Sequence, residues 1–377
     1  MAIRVAINAS KPRKVLIVGA GAAGLSLAVV LAESDRRYDI TVVERGRPAE
    51  RPGFGITLRE EGLSFLDLGT MISGVHLQGR AFWKGGAAVV DLPNPASTHL
   101  ICFSRAAFVN ALTKRCIDAD VEIRYGCDGA TLSDTYLEDF DLVVGADGAD
   151  SAVRRRYETD FKPEIGYGAN RYGWFGVDTA FEKLTIMLPE DGTMLGWAYK
   201  YSAGRSTFIV ECTETRFRSN HFDELSAEDT ARRLGEIFAT ELGEGSVACG
   251  DAARWMRFGT ITNTRLRHRN VVLIGDAAHT THFSQGVGTM FAFDDVLALQ
   301  SALDQHHAIV DALDAYEALQ QPKIAEYQEI ATASMRWSEK LLDCAERGDD
   351  ACVSNLIAQR WPDNAVPPGP MNSGDRM

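Results

Sequence analysis

The sequence has no apolar run near the roughly 20 residues that a membrane-spanning helix needs; stretches such as AAGLSLAVVLA fall well short. Its start, MAIRVAINASKPR, lacks the apolar core of a secretory signal. Basic charge is not in excess either. The 39 Lys and Arg against 52 Asp and Glu give a formal net charge of -13, which excludes a general phosphate-backbone binder, because such proteins concentrate Lys and Arg. The seven cysteines are odd in number, scattered and without a C-x-x-C pair. A zinc or iron–sulfur site is therefore not indicated, and a reducing cytoplasm is expected. Internal repeats and low-complexity tracts are missing, and only the tail PDNAVPPGPMNSGDRM reads as disordered. What remains is a soluble chain of 377 residues, 45% hydrophobic, with material for one large domain or two fused ones.

The richest stretch is KVLIVGAGAAGLSLAVVLAESDRRYDITVVER, residues 14–45. Val15 to Val18 form the continuous apolar run of a parallel strand buried on both faces. Gly19, Gly21 and Gly24 then stand in G-x-G-x-x-G spacing, with Ala22 and Ala23 between them, and open an Ala- and Leu-rich helix. Gly19 suits the tight turn, Gly21 the approach of backbone to a pyrophosphate, and Gly24 the close packing of helix on strand. The helix N-terminus offers N–H groups and partial positive charge to the anion. A second strand ends at Glu44-Arg45, where an acid accepts hydrogen bonds from an adenosine ribose and repels a 2'-phosphate. Strand, turn, helix, strand and acid in this order indicate an adenine dinucleotide site.

Further along, FSRAAFVNALTKRC reads as a helix capped by Ser104, with Arg105 in its first turn. A cation there opposes the helix dipole, so an anion is expected nearby. DLVVGADGADSAVRRR places Asp147, Gly148, Ser151 and Arg154 after a strand, and VVLIGD ends another at Gly275-Asp276. Carboxylates at such strand ends can accept ligand hydroxyls. Asp276, His279 and His282 also have metal-like spacing. No third or fourth ligand stands beside them, and the carboxylate is better assigned to the nucleotide, so no metal is expected.

These motifs resemble those of the single-component flavoprotein aromatic hydroxylases, the family of p-hydroxybenzoate hydroxylase, in order from about residue 14 to 300. The resemblance implies FAD held by Gly19, Gly21, Ala22, Ala23, Gly24, Glu44, Arg45, Arg105, Asp147 and Asp276, with Gly286, Val287 and Gly288 against the flavin ring. The loop HTTHFSQGVG lacks the prolines usual there. It is similar to a subgroup that includes salicylyl-CoA and 2-aminobenzoyl-CoA hydroxylases and a violacein-pathway hydroxylase, and NRYGWFG with WAYKYSAGRSTFIVEC is similar to the last of these. The implied reaction hydroxylates a phenolic, aryl-CoA or indole-type ring through a C4a-hydroperoxyflavin, using NADPH or NADH and O2, in secondary metabolism. His282 is a candidate base if the substrate must be deprotonated, or else a histidine that fixes its loop.

The expected fold is α/β (α+β). A Rossmann-like FAD-binding domain (1–160 and 266–300) carries an inserted antiparallel-sheet substrate domain (161–265), and C-terminal helices with a flexible tail (301–377) pack on the nucleotide domain. Alternation in LGWAYKYS puts Leu195, Trp197, Tyr199 and Tyr201 on one strand face. Trp174, Trp197, Tyr199, Tyr201, Phe283 and Ser284 are candidate pocket residues, with Phe175 read alongside Trp174. Arg80, Lys200 and Arg205 could meet an anionic handle, and Pro322 should start or kink a helix. No second G-x-G-x-x-G and no W-x-W-x-I-P occur, which sets aside two-dinucleotide reductases and flavin halogenases. An FAD-dependent oxidase of a small molecule and a non-catalytic FAD-binding protein are the alternatives.

Overall fold

The short apolar runs separated by glycine turns assemble as a parallel sheet in the computed structural model, which describes residues 11–47, 53–68, 71–94, 99–249, 254–286 and 288–361. Strands Glu122–Tyr125, Tyr38–Glu44, Arg13–Val18, Leu142–Gly145 and Val271–Leu273 lie side by side in parallel, and Arg267–His268 closes one edge antiparallel. Helix Ala22–Ala32 is apolar on every side and is buried on every side, between helices Arg105–Asp118 and Gly288–Gln305.

Alternating sequences form a second, mostly antiparallel sheet in the order Val247–Ala248, Pro163–Val177, Arg205–Cys212, Leu195–Ser202, Leu184–Leu188, Gly79–Lys84 and Ala87–Pro93; Met256–Asn263 also pairs with Pro163–Val177. Its last two strands come from well before residue 161, so the sheet extends beyond the segment 161–265 expected to supply it. Leu184 sits opposite Arg80 in a parallel pairing that draws this hairpin in, and its Gly85-Gly86 turn has both φ angles positive, 56° and 76°. One face of the sheet buries Phe175, Ala198, Phe208 and Val210 under Leu234, Phe238 and Leu242. The other buries Phe82, Ile186, Leu195, Trp197 and Ile209. A small sheet of Gly55–Arg59, Leu100–Ser104 and Val75–His76 joins the two layers.

The C-terminal helices depart from expectation. Helix Ile309–Glu346 runs continuously through Pro322 rather than starting there. Its first half, with Leu313 and Tyr316, packs on the nucleotide sheet, whereas Leu341 and Leu342, with Leu356 and Ile357 of helix Asp350–Arg360, pack on the antiparallel sheet. Packing at both ends outweighs the local cost of proline, about 3 kcal/mol. Cys344 and Cys352 are paired as a disulfide between these helices, where only free thiols were expected, and the five other cysteines are free. No described helix is long and apolar enough to cross a membrane. The tail 362–377 lies outside the described residues.

Candidate functional site

Strands Arg13–Val18, Leu142–Gly145 and Val271–Leu273 end level with one another, Val18 opposite Gly145 and Gly145 opposite Leu273. The turns that follow all open on one edge, where open α/β sheets take ligands. At the first turn Gly19 has φ 112°, and a Cβ there would stand 2.3 Å from the Ala146 carbonyl oxygen. A Cβ on Gly24 would stand 2.0 Å from the Gly19 oxygen, whereas Gly21 has nothing within 4 Å. Two glycines therefore serve internal packing, and the third leaves open space before the helix. That helix N-terminus carries no side-chain cap. Glu44 closes the turn: Oε2 accepts from Ala20 N and Oε1 from Gly46 N, both at 2.8 Å. A carboxylate has about four acceptor positions, so lone pairs remain for a ribose. Arg45 is exposed and reaches only to 3.9 Å from Asp150.

Asp147 spends its oxygens on the following helix. Oδ1 accepts from Ser151 Oγ at 2.5 Å, and Oδ2 from Ala152 N and Val153 N at 2.6 and 3.2 Å. Ser151 Oγ in turn caps Arg154 N at 2.9 Å, and the buried Arg154 guanidinium donates to the carbonyls of Ala149 and Ala277. The Asp-Gly motif thus ties the second strand end to the turn that carries Asp276.

Asp276, His279 and His282 face three different places. Asp276 is exposed at the strand edge; the surrounding protein pushes its carboxyl up, and the positive charge of Arg105 pulls it back. His279 points inward, with Nε2 2.9 Å from Asp295 Oδ2. The same buried carboxylate accepts from Gly275 N at 2.7 Å and Gln320 Nε2 at 2.8 Å. Asp295 therefore anchors the turn, and nothing in FAFDDVLAL except an acid inside an apolar helix signalled it. His282 is buried among other partners: Nδ1 lies 2.8 Å from Ser284 Oγ and accepts from Ser284 N at 3.4 Å. Ser284 Oγ meets Ser334 Oγ at 2.7 Å, and Arg360 donates to Ser334 at 3.0 Å. Burial, then the charge of Arg360, lowers His282 to about 3, too weak for a general base near neutrality. The geometry fits the loop-fixing alternative. Among the described residues no group of three or more His, Cys, Asp or Glu could hold a metal.

Beyond this loop Gly286 has φ 64° and open space at its Cβ position, and Gly288 begins the next helix with only Thr281 Oγ1 near, at 3.6 Å. Val287 lies outside the described residues. Phe283 is the centre of an aromatic cluster, with ring centroids 5.0 Å from Tyr172, 6.1 Å from Trp174, 6.0 Å from Trp197 and 4.1 Å from His282. Sequence reasoning missed Tyr172, and also Arg360, which stacks on Trp337 at 4.2 Å. Other pocket candidates lie elsewhere. Tyr199 donates to the Gly55 carbonyl at 2.9 Å and, with Tyr201, packs on the small sheet, because the strand carries its third and fourth inward positions past the cluster. Phe175 points to the opposite face, against Trp255. Lys200 and Arg205 are ion-paired with Glu182 and Asp178, whereas Arg80 is half-buried and has no acid paired with it among the described residues.

Residues 17–62 match an NAD(P)-binding Rossmann-like domain, and residues 124–329 match the family described as FAD binding domain. The chain belongs to the FAD binding domain family. It is similar to 3-hydroxy-4-methyl-anthranilyl-(aryl-carrier protein) 5-monooxygenase of Streptosporangium sibiricum, 33% identical over 88% of this chain and 90% of that protein. It is also similar to protodeoxyviolaceinate monooxygenase of Chromobacterium violaceum, 29% identical over 95% and 96%. Tetrameric 2-methyl-3-hydroxypyridine-5-carboxylic acid oxygenase shares the fold, with a TM-score of 0.71 at 20% identity over 90% of this chain and 98% of that one. As a family member the chain uses FAD and NAD(P)H, and its reaction class is aromatic monooxygenation.

Proposed function

We propose that the chain hydroxylates an aromatic ring presented as an acyl thioester on a carrier protein or CoA. FAD would lie across the common strand edge. Its pyrophosphate would face Gly21 and the uncapped helix N-terminus, its adenosine ribose Glu44, and its ribityl end Asp276 and Arg105. The fit rests on the open space at Gly21 and Gly286 and on the exposed Asp276 carboxylate near the Arg105 charge. Held by Gly21, Glu44, Asp276 and Arg105, FAD would supply hydride acceptance from NAD(P)H and transfer of one oxygen atom of O2 to the ring, the other leaving as water.

The observation that carries this reading is the aromatic cluster around Phe283, three residues before Gly286, whose backbone would meet the flavin pyrimidine edge. Phe283, Tyr172, Trp174 and Trp197 would keep water from a ring bound beside them and offer it aromatic contacts. Gly286 and Gly288 bring N–H groups and a helix N-terminus to negative charge on the flavin. With His282 a weak base, substrate deprotonation is not assigned to this chain. Thioester linkage is inferred from likeness to the aryl-carrier enzyme, with Arg80, which pairs with no acid among the described residues, as a cation for an anionic handle. A cytoplasmic location is inferred from the dependence on NAD(P)H.

The test is stopped-flow reduction of the bound flavin by NADH and NADPH with matched free benzoates and their CoA thioesters. A thioester that accelerates reduction and gains the mass of one oxygen atom supports the reading. Faster reduction with the free acids would overturn the thioester assignment. Reduction unaffected by every aromatic would overturn the hydroxylase reading.

A further inference from the structure

Glu211 plays no part in the reading above, yet it is one of the deepest charged side chains, 1% exposed on strand Arg205–Cys212. Its Oε1 accepts from Asn170 Nδ2 at 2.8 Å and from Ser338 Oγ at 2.7 Å. Its Oε2 is buried and has no partner among the described residues. Burial, with the charge of Glu339, lifts the carboxyl to about 7 against the pull of Asn170, Ser338 and the Trp197 indole. A half-satisfied buried carboxyl is costly, and native proteins rarely keep one without a use.

The surroundings indicate that use. Glu211 lines a small cavity with Gly168, Asn170, Tyr172, Phe258, His282, Met335 and a second acid, Glu339, whose charge also pushes the Glu211 carboxyl up. Tyr172 and His282 are also the neighbours of Phe283 in the aromatic cluster. The cavity is water-sized, adjoins the proposed ring site at Tyr172 and His282, and carries two acids, Glu211 and Glu339. Among the described residues no cation pairs with Glu211: Arg360, the guanidinium coupled to it, makes its hydrogen bonds to Ser334 and to the Ser284 carbonyl. The Trp197 indole N–H, also buried, is close enough to pull the carboxyl down, although neither it nor Oε2 has a partner at full hydrogen-bond distance and angle among the described residues. A water-sized recess beside the aromatic cluster, ending on a carboxyl oxygen that is an acceptor once ionised above about pH 7, fits the donor substituent of a ring held in the cluster.

We propose that Glu211 Oε2 is the anchor for a hydrogen-bond donor on the substrate ring, an amino or hydroxyl substituent, and so selects such rings over those with a methyl group in its place. This rests on the aromatic-hydroxylase reading and names a specificity residue within it. A site built to satisfy a donor rejects the analogue that lacks one, because the buried acceptor is then left unpaired.

The experiment uses the FAD-loaded enzyme and three probes, the N-acetylcysteamine thioesters of 2-aminobenzoate, 2-hydroxybenzoate and 2-methylbenzoate. Affinity is read from the perturbation of flavin absorbance. The native enzyme should bind the better of the amino and hydroxy probes at least about tenfold more tightly than the methyl probe, and in Glu211→Leu that ratio should fall toward one. Glu211→Gln keeps the shape and one acceptor, so it carries the test if the leucine variant loses FAD; its ratio should drop by at least about threefold. A native ratio near one, or a ratio unchanged in both variants, overturns the assignment and leaves the hydroxylase reading intact. A flavin that responds to none of the probes and to no other aromatic removes both.

Discussion

Gly21 and Gly24 stand three residues apart and carry different burdens. A methyl group on Gly24 would meet a backbone oxygen at 2.0 Å, whereas one on Gly21 would meet nothing. Gly24→Ala should therefore lower the melting temperature of the FAD-free protein, through overpacking that costs about 1–3 kcal/mol. Gly21→Val should leave that melting temperature in place and raise the FAD dissociation constant at least about tenfold, because it fills only the space meant for pyrophosphate. Thermal unfolding and FAD titration of both variants check the contrast. The turn was legible in the sequence because its demands are local, a positive φ and two close approaches within six residues. His279 and His282 were not legible, since their orientation is set by Asp295, 16 residues from His279, and by Ser334, 50 residues from Ser284. Spacing suggested a shared ligand, and packing turned the rings to separate partners.

Helix Gly288–Gln305 reaches the site through a single carboxylate. Asp295 holds the Gly275 N–H, His279 and Gln320 together, so Asp295→Ala should destabilise the protein by about 3–5 kcal/mol, the usual consequence of breaking a buried ionic pair. It should also release FAD, because the turn bearing Asp276 loses its anchor. Urea unfolding and the flavin content of the purified variant measure the two effects, and Asp295→Asn should cost less on both. Strands and their alternation were readable at this scale, as the Leu195–Ser202 and Arg205–Cys212 hairpin demonstrates. The recruitment of Gly79–Lys84 into the same sheet was not, because a parallel pairing with Leu184–Leu188 leaves no turn signature between partners so far apart. Pro322 misled for a related reason, in that local cost predicts a break only where tertiary packing is silent.

The whole molecule should respond to pH through two groups that line the same cavity. His282 falls from 6.5 to about 3 on folding, so between those values the unfolded chain binds more protons. Its contribution is fully present above about pH 6.5 and is lost as pH falls toward 3. Glu211 rises from 4.5 to about 7, so the folded state binds the extra proton, and the contribution present below pH 4.5 is lost as pH rises through 7. Glu211→Gln should accordingly raise the melting temperature relative to the native protein more at pH 8 than at pH 5. His282→Asn should flatten the acid side of the stability profile. Melting curves from pH 4 to 8 distinguish these outcomes, and a Glu211→Gln effect of equal size at both ends would count against the buried, half-partnered state of that carboxyl.

Helix Ile309–Glu346 has its first half on the nucleotide sheet and its second half on the antiparallel one. It acts as a tie beam between the wall that would hold the cofactor and the wall that would hold the ring. With the small sheet that joins the same two layers, it makes the spacing of these walls a property of shared elements rather than of loops alone.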